Sequence, residues 1–185
     1  MANVSLTGAR RSPLNGLWGI VVNGTLFNIS WFAIVITHSP YLAPFVVAVH
    51  LAIHFSLLGR GLREAQFIVF VTAIGATLDQ LQFALGLFLV DGARSIGPLW
   101  LSCLWPAFAT TLGHAFAGFR TRPVAAALVG GIGGALSYVA GTRLSPVEFV
   151  DPVIGPIVLG VTWAIMFPLL LRLAARFMEE LRDEN

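Results

Sequence analysis

Long apolar runs separated by short polar breaks dominate this chain. Six can be read, at residues 14–36, 41–58, 65–90, 98–119, 124–140 and 152–171. Each holds roughly 17–26 residues, and a helix needs about 20 to cross the hydrocarbon of a bilayer. The breaks carry residues that start helices. Ser39-Pro40 precedes the second run, Gly97-Pro98 opens the fourth and Asp151-Pro152 opens the sixth. Proline in a first helical turn loses no hydrogen bond, and Ser or Asp before it can accept from the free N–H groups. Pro106 and Pro168 fall inside runs, where a ring without an N–H kinks a helix. Only residues 142–151 make a connection long enough for a structured turn. The pattern predicts an all-α fold, a six-helix transmembrane bundle over residues 14–171. Segment 1–13 precedes it, and an amphipathic tail, 172–185, extends the last helix into water.

Composition strengthens this reading. Of 185 residues, 57% are hydrophobic and 11% charged, against about 25% charged in a typical soluble domain. Mean hydropathy is +0.83. A soluble core of this size cannot absorb so much apolar surface, so the excess needs lipid as solvent. All eleven basic residues are Arg. Without lysine there is no Schiff-base chemistry and no Walker-type phosphate loop. The single cysteine, Cys103, allows neither an internal disulfide nor a thiolate cluster.

Charge sets the expected orientation. Arg10, Arg11, Arg60, Arg63, Arg120, Arg122, Arg172, Arg176 and Arg182 fall on one side of the membrane; Arg94 and Arg143 fall on the other. Nine against two predicts that both termini are cytoplasmic. The pI near 9.3 therefore reflects membrane orientation, and nucleic acid is not an expected partner. Arg10-Arg11 is followed by an apolar run longer than that of a cleaved signal, so the run is expected to stay as the first span.

Polar residues inside spans are the candidate chemistry. An acid at mid-helix costs about 2.5–3.5 kcal/mol to insert and is a site candidate by default. Asp79 is read as the only acid well inside a span, with Gln80 and Gln82 beside it. At about 1.5 Å per residue it lies about 21 Å along the third helix, in the outer half. Asn28, Ser137 and Tyr138 reach the same height on ascending helices, and Ser102 and Trp105 on the descending fourth. Arg94 and Arg143 sit in the adjacent outer loops. The alternative is that these groups only tie helices together, at about 0.6–2 kcal/mol each.

His50 and His54 are four apart and share a helix face, and His114 falls at the level of His54. Three histidines could hold zinc, or two a haem. An i,i+4 pair of neutral histidines bonded to neighbouring helices or facing headgroups is the plainer reading, and neither metal nor cofactor is expected. Gly130-Gly131-Ile132-Gly133-Gly134 reads as a close-packing face; no strand precedes it, as a nucleotide loop requires. Ser137 follows it without completing a protease motif.

These residues also carry a resemblance. Asn28-Ile-Ser-Trp31-Phe32, His50-Leu-Ala-Ile-His54, Gly75-x-x-x-Asp79, Gly97-Pro98-Leu99-Trp100-Leu101 with Leu104-Trp105, and Gly133-x-x-x-Ser137-Tyr138-x-x-Gly141 occur in this order over nearly the whole chain. Together they resemble the uncharacterised bacterial membrane family catalogued as domain of unknown function 2878. The resemblance implies a multi-pass inner-membrane protein without an assigned activity. It also implies a context of enzymes that modify fatty acyl chains. It adds Trp31 to the candidate site.

The expected ligand-binding group is thus Asn28, Trp31, Asp79, Trp105, Ser137 and Tyr138, with His50, His54 and His114 as a second polar group. The leading expectation is a lipid-associated protein whose outer-half polar pocket holds a headgroup or small polar ligand at Asp79. The alternatives are a small proton-coupled transporter, for which a bundle this small would need a homodimer, and a structural assembly subunit with no site. Acid–base catalysis by Asp79 and His50 would need them to meet, and depth separates them by about 9 Å.

Overall fold

A computed structural model of the chain describes residues 16–183. Segment 1–13, with Arg10 and Arg11, and the last two residues of the tail lie outside the described residues. The helices are α1 (Gly16–Thr37), α2 (Leu42–Leu57), α3 (Leu62–Ala84), α4 (Leu99–Ser102), α5 (Leu104–Gly113), α6 (Pro123–Leu144) and α7 (Ile154–Asp183). Four stretches are long and apolar enough to cross a membrane: Gly16–Thr37, Leu62–Ala84, Pro123–Leu144 and Ile154–Phe177. Leu42–Leu57 and Leu99–Gly113 are shorter and equally apolar. The result is an all-α bundle of six helical segments, as expected.

The caps explain the boundaries. Ser39 Oγ accepts the N–H groups of Tyr41 and Leu42 at the start of α2. Asp151 Oδ1 accepts those of Val153 and Ile154 at 2.8 Å each, at the start of α7. These two bonds hold the exposed Asp151 carboxyl below the usual carboxylate range. The fourth segment is broken. Pro106 has no N–H for the Ser102 carbonyl and its ring crowds it, so the expected kink appears as an interruption at Cys103. A single 3-10 turn, Ala117–Phe119, follows α5.

The third run is not helical to its end. Gly86 has φ +75° and lets the Leu87 N–H return to Gln82 O at 3.0 Å and the Gly86 N–H to Phe83 O, a Schellman stop. Beyond it, β1 (Phe88–Val90) pairs antiparallel with β2 (Val147–Phe149), matching Phe88 to Phe149 and Val90 to Val147. Asp91 and Gly92, both with positive φ, turn the chain after β1 as the Asp-Gly pair does in tight hairpins. This ribbon caps one end of the bundle, and the buried Phe88 ring stacks on Phe149 and Tyr138.

α5 is the hub, packed against α1, α2, α3 and α7. α6 leans mainly on α7 and barely touches α1. The glycines explain the close α6–α7 pair: a Cβ added at Gly130 or Gly134 would strike Phe167 or Trp163. The burial pattern is inverted relative to a soluble protein. Leu17, Val69, Leu85, Val124 and Ile157 are exposed, while Asn23, His50, His54, Glu64, Asp79 and Thr110 are buried. Lipid outside and polar contacts inside account for both.

Candidate functional site

Asp79 sits on the inner face of α3, 1% exposed. Trp105 Nε1 of α5 donates to its Oδ2, and the Tyr138 hydroxyl of α6 donates to its Oδ1, each at 2.6 Å. Gly75 lies one turn before Asp79 on the same face. A Cβ there would collide with the Trp105 ring, so the glycine bares the helix under the indole that Asp79 receives. The same ring lies flat against Trp163 of α7, with centroids 5.4 Å apart at 5°. One carboxylate thus joins three helices, and a tryptophan stack adds a fourth. Gln80, next on α3, clamps the chain before α4: its amide exchanges two 2.9 Å hydrogen bonds with the Gly97 backbone.

A cavity of about 340 Å³ adjoins this carboxylate. Phe27, Trp31 and Val35 of α1 line one side, at the i, i+4, i+8 spacing of a single face. Val129, Gly130, Gly133, Gly134, Ser137 and Tyr138 of α6 line the other. Val129 and Gly133 are themselves exposed, on a helix that barely touches α1. Its walls are mostly aromatic, aliphatic and glycine. Polar groups are few: Asp79, Tyr138, Ser137, Thr142 and Ser145. The Trp163 Nε1 is buried without a hydrogen-bond partner among the described residues.

Trp31, Asp79, Trp105, Ser137 and Tyr138 therefore line one cavity. Asn28 does not. It is exposed outside that cavity, its Nδ2 donating to Gly24 O at 2.8 Å, in a shallow groove with Ile20, Val21, Thr25, Ile29 and Phe32. Depth along a helix fixes height but not azimuth, and Asn28 is turned about 100° from Phe27.

The histidines occupy a separate buried network. His50 shares hydrogen bonds with Ser30 through Nδ1 at 2.9 Å and with Thr110 through Nε2 at 3.2 Å. Asn23 donates to the same Thr110 hydroxyl at 3.2 Å. One turn along α2, His54 Nε2 lies 3.2 Å from Glu64 Oε1, and His114 Nε2 lies 2.8 Å from that same oxygen. Asp79 is thus not the only acid buried in the bundle. Glu64 is also 1% exposed, because α3 begins at Leu62 and not beyond residue 64. Asn23, Ser30, Thr110 and Glu64 are the residues that depth and spacing did not single out. A polar residue inside or at the mouth of an apolar run was the available signal. Among the described residues, His54, Glu64 and His114 form a cluster whose ligand atoms lie within 4.8 Å of one another. His50, tied to Ser30 and Thr110, is not part of it.

No curated protein and no solved structure matches this chain. Residues 20–169 match a family described as "Protein of unknown function (DUF2878)". That range contains the whole Asp79 site, both halves of the histidine network and the capping ribbon, and the chain belongs to this family.

Proposed function

We propose that this protein is a lipid-binding protein of the bacterial inner membrane, with both termini cytoplasmic and the Asp79 cavity in the outer half. The cavity takes an apolar chain of an amphipathic lipid, and a hydroxyl of that lipid donates to the Tyr138 oxygen. One observation carries this reading: a largely apolar cavity of about 340 Å³ is lined on two sides by α1 and α6, helices that barely touch, with Asp79 among its few polar groups. That volume falls in the range of small-molecule sites, which are mostly apolar with a few convergent polar groups. On this reading the cavity opens sideways between them and admits molecules already dissolved in the bilayer.

Asp79 serves this site indirectly. Both of its oxygens are occupied, by Trp105 and Tyr138. It aims the Tyr138 hydroxyl, whose lone pair remains able to accept. An acceptor beside a carboxylate whose oxygens are both occupied suits a lipid hydroxyl better than a charged headgroup. The expected polar pocket is on this reading an apolar one with a polar end. The uneven arginines support the orientation.

The test uses purified protein in vesicles containing a phospholipid with a photoreactive group on its acyl chain. Labelling is expected at the α1–α6 opening, around Trp31 and Val129. Gly133→Phe is the selective variant, because a Cβ there meets nothing within 4 Å and the ring would fill the opening. It should cut labelling about tenfold, a loss of about 1.4 kcal/mol in binding, without lowering the melting temperature. Gly134→Leu, one residue on, should instead lower that temperature by driving into Trp163. Labelling spread evenly around the bundle, or unaffected by Gly133→Phe, refutes the proposal.

A further inference from the structure

The cluster at the other end of α3 points to a second site. We propose that His54, Glu64 and His114 bind one first-row divalent transition metal ion, zinc or ferrous iron.

Three separate parts of the chain supply the ligand atoms: α2, the first turn of α3, and the residue that ends α5. They converge on one point. The Nε2 atoms of both imidazoles face the same carboxylate oxygen, at 3.2 and 2.8 Å, and the two rings stand nearly perpendicular at 83° with centroids 5.0 Å apart. Ligands about 2.0–2.2 Å from a shared ion lie about 3.0–3.4 Å from each other in octahedral or tetrahedral geometry. The two separations to Glu64 Oε1 match to within a few tenths of an ångström, and the third pair lies within 4.8 Å. An ion can take the place of the two shared protons with little movement of the side chains.

The chemistry of the donors agrees. Two imidazole nitrogens and one carboxylate oxygen suit zinc, and also ferrous iron in the two-histidine, one-carboxylate arrangement. The carboxylate is already oriented, since the Arg60 backbone N–H donates to Oε2 at 2.6 Å. That bond leaves Oε1 as the single ligand oxygen, a supporting role that outer partners play at metal centres. Three protein ligands leave a position for water. The cluster adjoins the Gly59–Gly61 turn and the connection after α5, at the end of the bundle that carries Arg60, Arg63, Arg120 and Arg122. An ion would reach it from those loops without crossing the apolar interior.

The site is distinct from the lipid cavity. Glu64 and Asp79 are separated by about 22 Å along α3, so either assignment stands or falls alone.

The experiment uses full-length protein carrying no polyhistidine tag, purified in mild detergent. Elemental analysis is expected to find one equivalent of zinc or iron, and which of the two identifies the ion. Metal-stripped protein titrated anaerobically with Co²⁺ is expected to saturate at one equivalent with visible d–d absorption, whose intensity separates four- from six-coordination. E64Q and H114Q should each weaken that binding by more than about 100-fold, beyond what loss of an outer partner costs. H38Q, at an exposed histidine outside the cluster, should leave it unchanged. Folded wild-type protein that gives no saturable cobalt signal overturns the proposal, without any variant. So does cobalt binding that E64Q and H114Q leave intact, since the ion would then sit elsewhere.

Discussion

Asp79 has two donors and no third contact of comparable strength, so each donor can be removed by a small change. Tyr138→Phe deletes one hydroxyl and leaves a buried carboxylate oxygen unsatisfied. The expected loss is about 1–3 kcal/mol, seen as a lower melting temperature in detergent. Trp105→Phe should cost more, because it also removes ring area stacked on Trp163. The double variant should lose less than the two single losses together, since both donors serve one carboxylate. Additive losses would show that the two bonds are not coupled through Asp79. At this scale the sequence was informative where height alone decides contact. Asp79, Trp105 and Tyr138 were placed together by counting residues along their helices. Asn28 was placed with them by the same count and faces away, since nothing in one helix states which side its neighbours will cover. Glu64 was overlooked because a boundary drawn at residue 65 left it in a loop, and a three-residue difference moves a carboxylate from water into the bundle.

The start of α7 shows how a single side chain acts on an element. The folded value of the Asp151 carboxyl is depressed by the two N–H groups it caps, below the unfolded value of about 3.9. Its stabilisation is therefore complete above that unfolded value and is lost as pH falls through the lower folded one. Asp151→Asn keeps the cap and removes the titration. It should match wild type near neutrality and lack this acid-side loss, checked by thermal melting from pH 5 down to pH 2. The boundaries of elements were legible where a cap announces them, at Ser39 and at Asp151. They were missed where the stop is conformational. Gly86 ends α3 and Asp91-Gly92 turns β1, yet an unbroken apolar run from 65 to 90 reads as helix, since a short buried strand and the end of a buried helix share a composition. The break at Cys103 follows from Pro106, whose effect falls upstream of the ring.

Across the whole molecule, the apolar runs were enough for a bundle of helices fit to cross a membrane. The cavity was not legible, because it depends on which helices fail to meet. α6 is held to α7 by glycines and stands off from α1, and no local pattern records a missing contact. One further property follows from where the indoles fall. Of the five tryptophans, Trp31, Trp100, Trp105 and Trp163 line the cavity, while Trp18 faces outward at 72% exposure. Ultraviolet emission from Trp18→Phe protein would come from the cavity walls alone. Brominated acyl chains, which quench by contact, should darken it sharply, and Gly133→Phe in that background should restore the light. The molecule has a built-in optical reporter of its own occupancy, and no dye is needed to read it.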